Sequence, residues 1–265
     1  MPSSPPAAEP SSTALAGTQT LMRGLAIVQA VADGQRDLKA LCAHTGIARS
    51  TAHRLASLLV QERYLRVLPG TGYALGPQLI ELGFQAREGL SLVELARPQL
   101  DALARHTGDT IHLVVREGDE VLYVEKIPGT QGLQMRSRVG QRMPLAYTGV
   151  GKALLLDDKE PEWRRVFEAG SAAAPQAAKR MAWSSFAKRM RSYAAGGYAY
   201  DLEDNEPSIR CVAAPIRGAD GAIAAGLSVT STAPYLSLER MEELRPVVMA
   251  AAAAISAELG WRAAR

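Results

Sequence analysis

The chain has 265 residues, 47% of them hydrophobic and 22% charged, with a net charge of +3. That length is comfortable for two domains, and the composition fills ordinary cores. Two cysteines, 169 positions apart, give neither a disulfide framework nor a zinc-ligand spacing and fit a reducing interior, and no run of about 18 apolar residues is free of charges or breakers, so no membrane span is expected.

Residues 1–19, "MPSSPPAAEPSSTALAGTQ", are rich in Pro, Ser and Ala. They lack a basic segment ahead of an apolar core, so they read as a disordered arm and not as a secretory signal. From Thr20 to Gly76 the sequence carries seven Lys/Arg against three acids, while the remainder is slightly acidic. A small basic module joined to a larger neutral one suggests a polyanionic partner.

Within that module Leu21, Leu25, Val28 and Val31 or Ala32 recur at helical spacing. Leu38, Leu41, Cys42 and Thr45 form a short second helix, followed by Gly46 where a left-handed turn residue is needed. A third helix runs through "ARSTAHRLASLLVQE", which completes a helix-turn-helix. On that helix Ala48, Ala52, Leu55, Leu58 and Leu59 fall on one side. Ser50, His53, Arg54 and Ser57 fall on the other, with Arg49 at the flank. Short hydroxyls and arginines on one face suit base edges and phosphates. "YLRVLPGTGYALG" then supplies two short strands about a turn, a wing. A merely solvated face accounts for the arginines alone; it does not account for the wing and the local charge. Cys42 reads as a core filler.

The stretch "PQLIELGFQAREG" is an amphipathic linker helix through Leu79, Leu82, Gly83 and Ala86. Beyond it, "LVELARPQLDALARHTG" is a helix, "TIHLVVREGDEVLYVEKIPG" two strands about an acidic turn, and "LQMRSRV" a third strand. "YTGVGKALLLDD" turns into a helix, and two more come from "EWRRVFEAG" and "SSFAKRMRSYAAGG". "YAYD", "IRCVAAPIR" and "AIAAGLSVTST" are strands, the last two a hairpin, and "LSLERMEELRPVVMAAAAAISAELG" is a closing helix. Helices with an antiparallel sheet make an α+β sensor-type domain.

Asp201, Glu203, Asp204 and Glu206 crowd six positions, and Cys211 follows. No histidine lies near Cys211 in sequence, and the thiol sits in an apolar strand where it is inert. A cysteine-dependent hydrolase fused to a basic domain is the alternative reading. The acidic loop lacks the calcium-loop pattern, so no metal or cofactor is expected. "TGVGK" opens a helix whose Gly149 and Gly151 let backbone amides approach a ligand, although the Walker pattern is absent. Ser228 and Thr230, two apart, face the same side of their strand and need partners if buried. A small carboxylate would serve, and so would backbone or water.

These segments resemble the IclR family of bacterial transcriptional regulators over about Thr20 to Trp261. The resemblance rests on "LKALCAHTGIARSTAHRLASLL", "YALGPQLIELG", "VGQRMPLAYTGVGKALL" and, most specifically, "GYAYDLEDNEPSIRCVAAPIRGADGAIAAGLSV". It implies a winged helix-turn-helix domain (20–76), a linker helix (77–90) and a GAF-like effector-binding domain (91–265). It further implies a cytoplasmic homodimer, or dimer of dimers, that binds operator DNA, senses a small organic acid and is not an enzyme. Effector contacts then fall on Met135, Gly149, Val150, Asp201, Ile209, Cys211, Ser228 and Thr230. DNA contacts fall on Arg49, Ser50, Thr51 and Arg54, with Arg23 on a phosphate and His53 and Ser57 on the same helical face. Of the acidic residues only Asp201 is expected to reach the ligand; the others read as a solvated loop. Three departures from the family pattern leave the ligand open: Pro207-Ser208 for a glycine, Asn205 for a histidine, and "SVTST" for "SVSGP".

Overall fold

In the computed structural model, which describes residues 18–131, 135–173 and 181–262, the chain opens with α1 (Thr18–Ala32), α2 (Leu38–Thr45) and α3 (Arg49–Gln61). Asp37 caps α2 by accepting the Ala40 amide at 2.9 Å. Gly46 ends it at φ 69°, its N–H returned to Cys42 O, a left-handed position that glycine takes without a Cβ penalty. Ile27, Ala30 and Val31 of α1, Leu41 of α2, and Ala52, Leu55 and Ala56 of α3 form a core closed by Ile47 and Leu65. β1 (Leu65–Leu68) and β2 (Gly72–Leu75) pair antiparallel as the wing, and α4 (Pro77–Glu88) follows.

Three expectations for this part need correction. Of the arm expected over residues 1–19, Thr18 and Gln19 already belong to α1; the rest lies outside the described residues. Leu21 and Leu25 of α1 are 63% and 55% exposed, because the stripe at Ile27, Ala30 and Val31 faces the core instead. On α3, Ala48 and Leu58 are exposed and Ala56 is buried, so Ala52, Leu55 and Ala56 form the contact surface.

The described residues part into two compact units between Leu90 and Ser91. The second begins with α5 (Leu92–Thr107) and the hairpin β3 (Thr110–Glu117)–β4 (Glu120–Ile127). There follow β5 (Arg142–Pro144), α6 (Gly149–Leu154), α7 (Glu160–Ala173), α8 (Trp183–Gly196), β6 (Ala199–Leu202), β7 (Ile209–Arg217), β8 (Ile223–Thr232) and α9 (Leu238–Glu258). The strands form one antiparallel sheet in the order β5-β4-β3-β8-β7-β6. The third strand expected in "LQMRSRV" is absent over Met135–Val139, and Leu133 and Gln134 lie outside the described residues. The carbonyls of Met135 and Ser137 go to the Lys126 ammonium instead of to a strand, and Arg142–Pro144 pairs with β4.

Register assigns the two faces of this sheet. Ile111, Leu113, Leu227, Val229, Val212 and Tyr200 share one face by pairing. α9 packs there, since Tyr200 Oη donates to Glu242 at 2.9 Å. The alternate residues, His112, Ser228, Thr230, Cys211 and Asp201, share the opposite face under α6. The two-residue period therefore separates an apolar core from a polar floor.

Leu113 is fully buried on the apolar face. Leu113→Ala should cost ~2–5 kcal/mol. All three tryptophans, Trp163, Trp183 and Trp261, lie in this unit, so the urea midpoint by tryptophan fluorescence should fall; an unchanged midpoint contradicts the register.

Candidate functional site

On α3, Arg49, Ser50, His53, Arg54 and Ser57 are exposed on one outward face, Thr51 is half-buried, and Arg23 is exposed on α1. Among the described residues no acid forms an ion pair with Arg23, Arg49 or Arg54, whereas Arg116, Arg165 and Arg217 of the second unit are paired. A cluster of uncompensated cations on an exposed helix suits a phosphate backbone.

In the second unit the polar floor and the start of α6 enclose a cavity. Its volume is about 470 Å³ including the mouth. All eight candidate effector residues, Met135, Gly149, Val150, Asp201, Ile209, Cys211, Ser228 and Thr230, line it. So do His112, Tyr123, Arg136, Ser137, Thr148, Asn205 and Glu206. Gly149 is required by contact, because a Cβ there would lie 2.5 Å from Cys211 Sγ and 2.8 Å from the Asp201 amide nitrogen. The helix start is partly occupied internally, since Thr148 Oγ1 accepts the Gly151 amide at 3.0 Å.

The floor is a short hydrogen-bonded chain. Ser228 Oγ and Thr230 Oγ1 are 3.5 Å apart, His112 Nδ1 is 3.3 Å from Thr230 Oγ1, and His112 Nε2 is 2.7 Å from Ser137 Oγ. Burial, and then Lys126, push the His112 imidazole down to about 3, so it is neutral at pH 7 and offers one donor and one acceptor. Asp201 Oδ1 accepts the Asp204 amide at 2.7 Å. Burial raises its carboxyl to about 6; Lys152 opposes that and Asp204 adds to it. Asn205 Oδ1 is buried without a hydrogen-bond partner in the structure, a state that polar atoms rarely keep.

Behind the cavity lies an ionic cluster that the sequence reading missed. Asp204 was expected in a solvated loop; its side chain is only 7% exposed. Lys152 Nζ donates to Asp204 Oδ2 at 2.5 Å and to Tyr200 O at 3.2 Å, and Arg189 reaches both Asp204 oxygens at 3.0 Å. Burial alone would raise the Asp204 carboxyl, but Lys152 and Arg189 outweigh it and hold it low. Glu203 pairs with Arg210 at 2.9 Å, and of the four acids only Glu206 is exposed. The partner Lys152 stands 52 residues upstream of Asp204, so proximity in sequence gave no sign of it. A lone lysine inside the apolar run "GVGKALLL" was the available clue. His112 had a similar one, a polar residue at an inward position of "TIHLVV".

Ser208, one of the two residues that replace the family's glycine, adopts φ 62°. A left-handed conformation costs an L-residue of this kind ~1 kcal/mol; the Ser208 amide is held by Glu203 Oε2 at 3.0 Å. Burial, and then Asp201, push the Cys211 thiol up to about 12. Among the described residues no group of three or more His, Cys, Asp or Glu is placed to hold a metal ion, and no helix is long and apolar enough to cross a membrane.

Comparison with known proteins matches both units. Residues 84–257 match the family described as "Bacterial transcriptional regulator IclR C-terminal", and residues 20–69 match the IclR helix-turn-helix domain. Among relatives, "HTH-type transcriptional regulator XynR" of Escherichia coli (strain K12) is 31% identical over 82% of this chain and 87% of its own. "HTH-type transcriptional regulator KdgR" of the same organism is 32% identical over 71% of this chain and 72% of its own. The crystal structure of the Agobacterium tumefaciens repressor BlcR superposes with a TM-score of 0.77 at 25% identity, covering 93% of this chain and 99% of that one. The chain belongs to the IclR family of transcriptional regulators, with an N-terminal helix-turn-helix domain and a C-terminal IclR effector domain.

The raised carboxyl of Asp201 has a pH signature. Its folded form keeps a proton up to about pH 6, whereas an unfolded aspartate loses it near ~3.9. Stability therefore falls as pH rises between these values. Asp201→Asn should gain urea resistance relative to the parent as pH rises from about 4 to about 7; a pH-independent difference contradicts the assignment.

Proposed function

We propose that the C-terminal cavity binds a small organic acid and that its occupancy alters the hold of the helix-turn-helix on operator DNA. The convergence of donors and unfulfilled acceptors on one enclosed cavity carries this reading. Ser228, Thr230 and Ser137 hydroxyls, the last two oriented by neutral His112, offer donors to a carboxylate. Asp201 and the partnerless Asn205 Oδ1 call for a hydroxyl on the ligand. That combination favours a hydroxy or sugar acid over a plain keto or aromatic acid, and the narrow interior favours a small one.

The DNA contacts in this reading are Arg49, Ser50, Thr51, His53, Arg54 and Ser57 from α3 and Arg23 from α1. The protein acts in the cytoplasm as a homodimer or dimer of dimers, without cofactor. Exposed Leu21, Met22 and Leu25 on α1 and Ile80 on α4 supply apolar surface of the kind that assembly covers. A coupling of ~1–3 kcal/mol between the two sites suffices for a several-fold change in operator occupancy. The cysteine-hydrolase alternative lacks support, because the Cys211 thiol is held protonated at pH 7 and His112 is engaged with Thr230 and Ser137.

A thermal-shift screen with gluconate, pyruvate, glyoxylate and 4-hydroxybenzoate should yield at least one stabilising acid, since a ligand at ~100 times its Kd adds ~2.7 kcal/mol. Ser228→Ala combined with Thr230→Val should abolish that shift and leave DNA binding without acid unchanged; a retained shift contradicts the pocket.

On an operator selected from random-sequence DNA, Arg54→Ala should weaken binding by ~1–3 kcal/mol. Undiminished affinity in a filter-binding titration contradicts the recognition face.

A further inference from the structure

The segment Met135–Gln141 crosses the front of the cavity without strand pairing over residues 135–138. Its far end is anchored by backbone, with Gly140 N donating to Tyr123 O at 2.8 Å and Tyr123 N to Gln141 O at 3.0 Å. Its middle is tied to the sheet by two side chains. Lys126 Nζ donates to Met135 O at 2.6 Å and to Ser137 O at 2.7 Å, and His112 Nε2 meets Ser137 Oγ at 2.7 Å.

Met135, Arg136 and Ser137 line the inner cavity and also an outer groove that Lys126, Arg138, Val139 and Gln141 complete. The segment is thus the wall between the cavity and solvent. Among the described residues no acid lines that groove. The Lys126 ammonium is bound by neutral carbonyls in place of a counter-ion, and burial together with nearby Arg138 weakens its hold on its proton. Hydrogen bonds to a charged group at a partly exposed site are individually modest and reversible.

We propose that Met135–Val139 is a lid over the cavity and that Lys126 is its latch, release of the two carbonyls setting the rate at which solutes reach the cavity floor. The lid is a property of the cavity itself and stands or falls apart from the identity of any effector.

Cys211 on the floor makes this measurable without a ligand. In a Cys42→Ser background, the small neutral reagent methyl methanethiosulfonate converts the Cys211 thiolate to a methyl disulfide with loss of methanesulfinate. Lys126→Met should raise the labelling rate roughly tenfold or more, with amide exchange faster across residues 136–139 and unchanged at Val212 and Val229. If Lys126→Met does not fold, Lys126→Gln, whose shorter neutral head cannot hold both carbonyls, is read in the same way. An unaltered labelling rate overturns the proposal. So does a rise that tracks faster exchange at Val212 and Val229, which would report general loosening of the sheet.

Discussion

Helix α6 rests on the sheet with no room for a side chain at its first residue. A Cβ on Gly149 would collide with Cys211 Sγ and the Asp201 amide, and from the other side a Cβ on Gly226 would lie 2.8 Å from Val150 Cγ2. This close approach fixes the height of the cavity. It brings the backbone of Thr148–Val150 to the same few ångströms of space as the side chains of β6, β7 and β8. Any residue larger than glycine at either point would lift the helix and open the interior to water, and packed cores tolerate such overpacking poorly.

The polar side of the sheet follows from that geometry. One face is an ordinary apolar core; the other buries Ser228, Thr230, His112, Cys211 and Asp201, groups that are costly to leave without partners. Beneath them Lys152, Asp204 and Arg189 form a buried ionic cluster tied to the floor through the Asp204 amide and Asp201. Such a cluster is weak support for stability in itself. Its value is positional: it pins the acidic loop so that Asp201 and Asn205 face the cavity. Protonated Cys211 adds no negative charge to the interior, which leaves Asp201, with its carboxyl at about 6, as the one anion of the floor at pH 7.

Much of this was legible in the sequence. The spacing of Leu38, Leu41 and Thr45 before Gly46 predicts the turn that the φ angle displays, because glycine's conformational freedom is a local property. The pairing of Ser228 and Thr230 on one face follows from the strand period alone. The acidic loop was not legible, since what buries Asp204 is a lysine on α6 and an arginine on α8, which only tertiary packing brings together. The strand expected at "LQMRSRV" failed for a related reason: two of its carbonyls are taken by Lys126 from a neighbouring strand. On α1 the leucines at Leu21 and Leu25 kept helical spacing yet lie outside this unit's core. Periodicity identifies a stripe but does not say which stripe is covered.

The central claim is that the cavity beneath α6 is where a small acid acts. The most direct measurement is a crystal structure of the protein with the acid that stabilises it most. The account predicts that acid between α6 and the sheet, its carboxylate within hydrogen-bond distance of Ser228 or Thr230 and a hydroxyl at Asp201 or Asn205. The acid bound anywhere else, with the cavity beneath Gly149 unchanged, would contradict it.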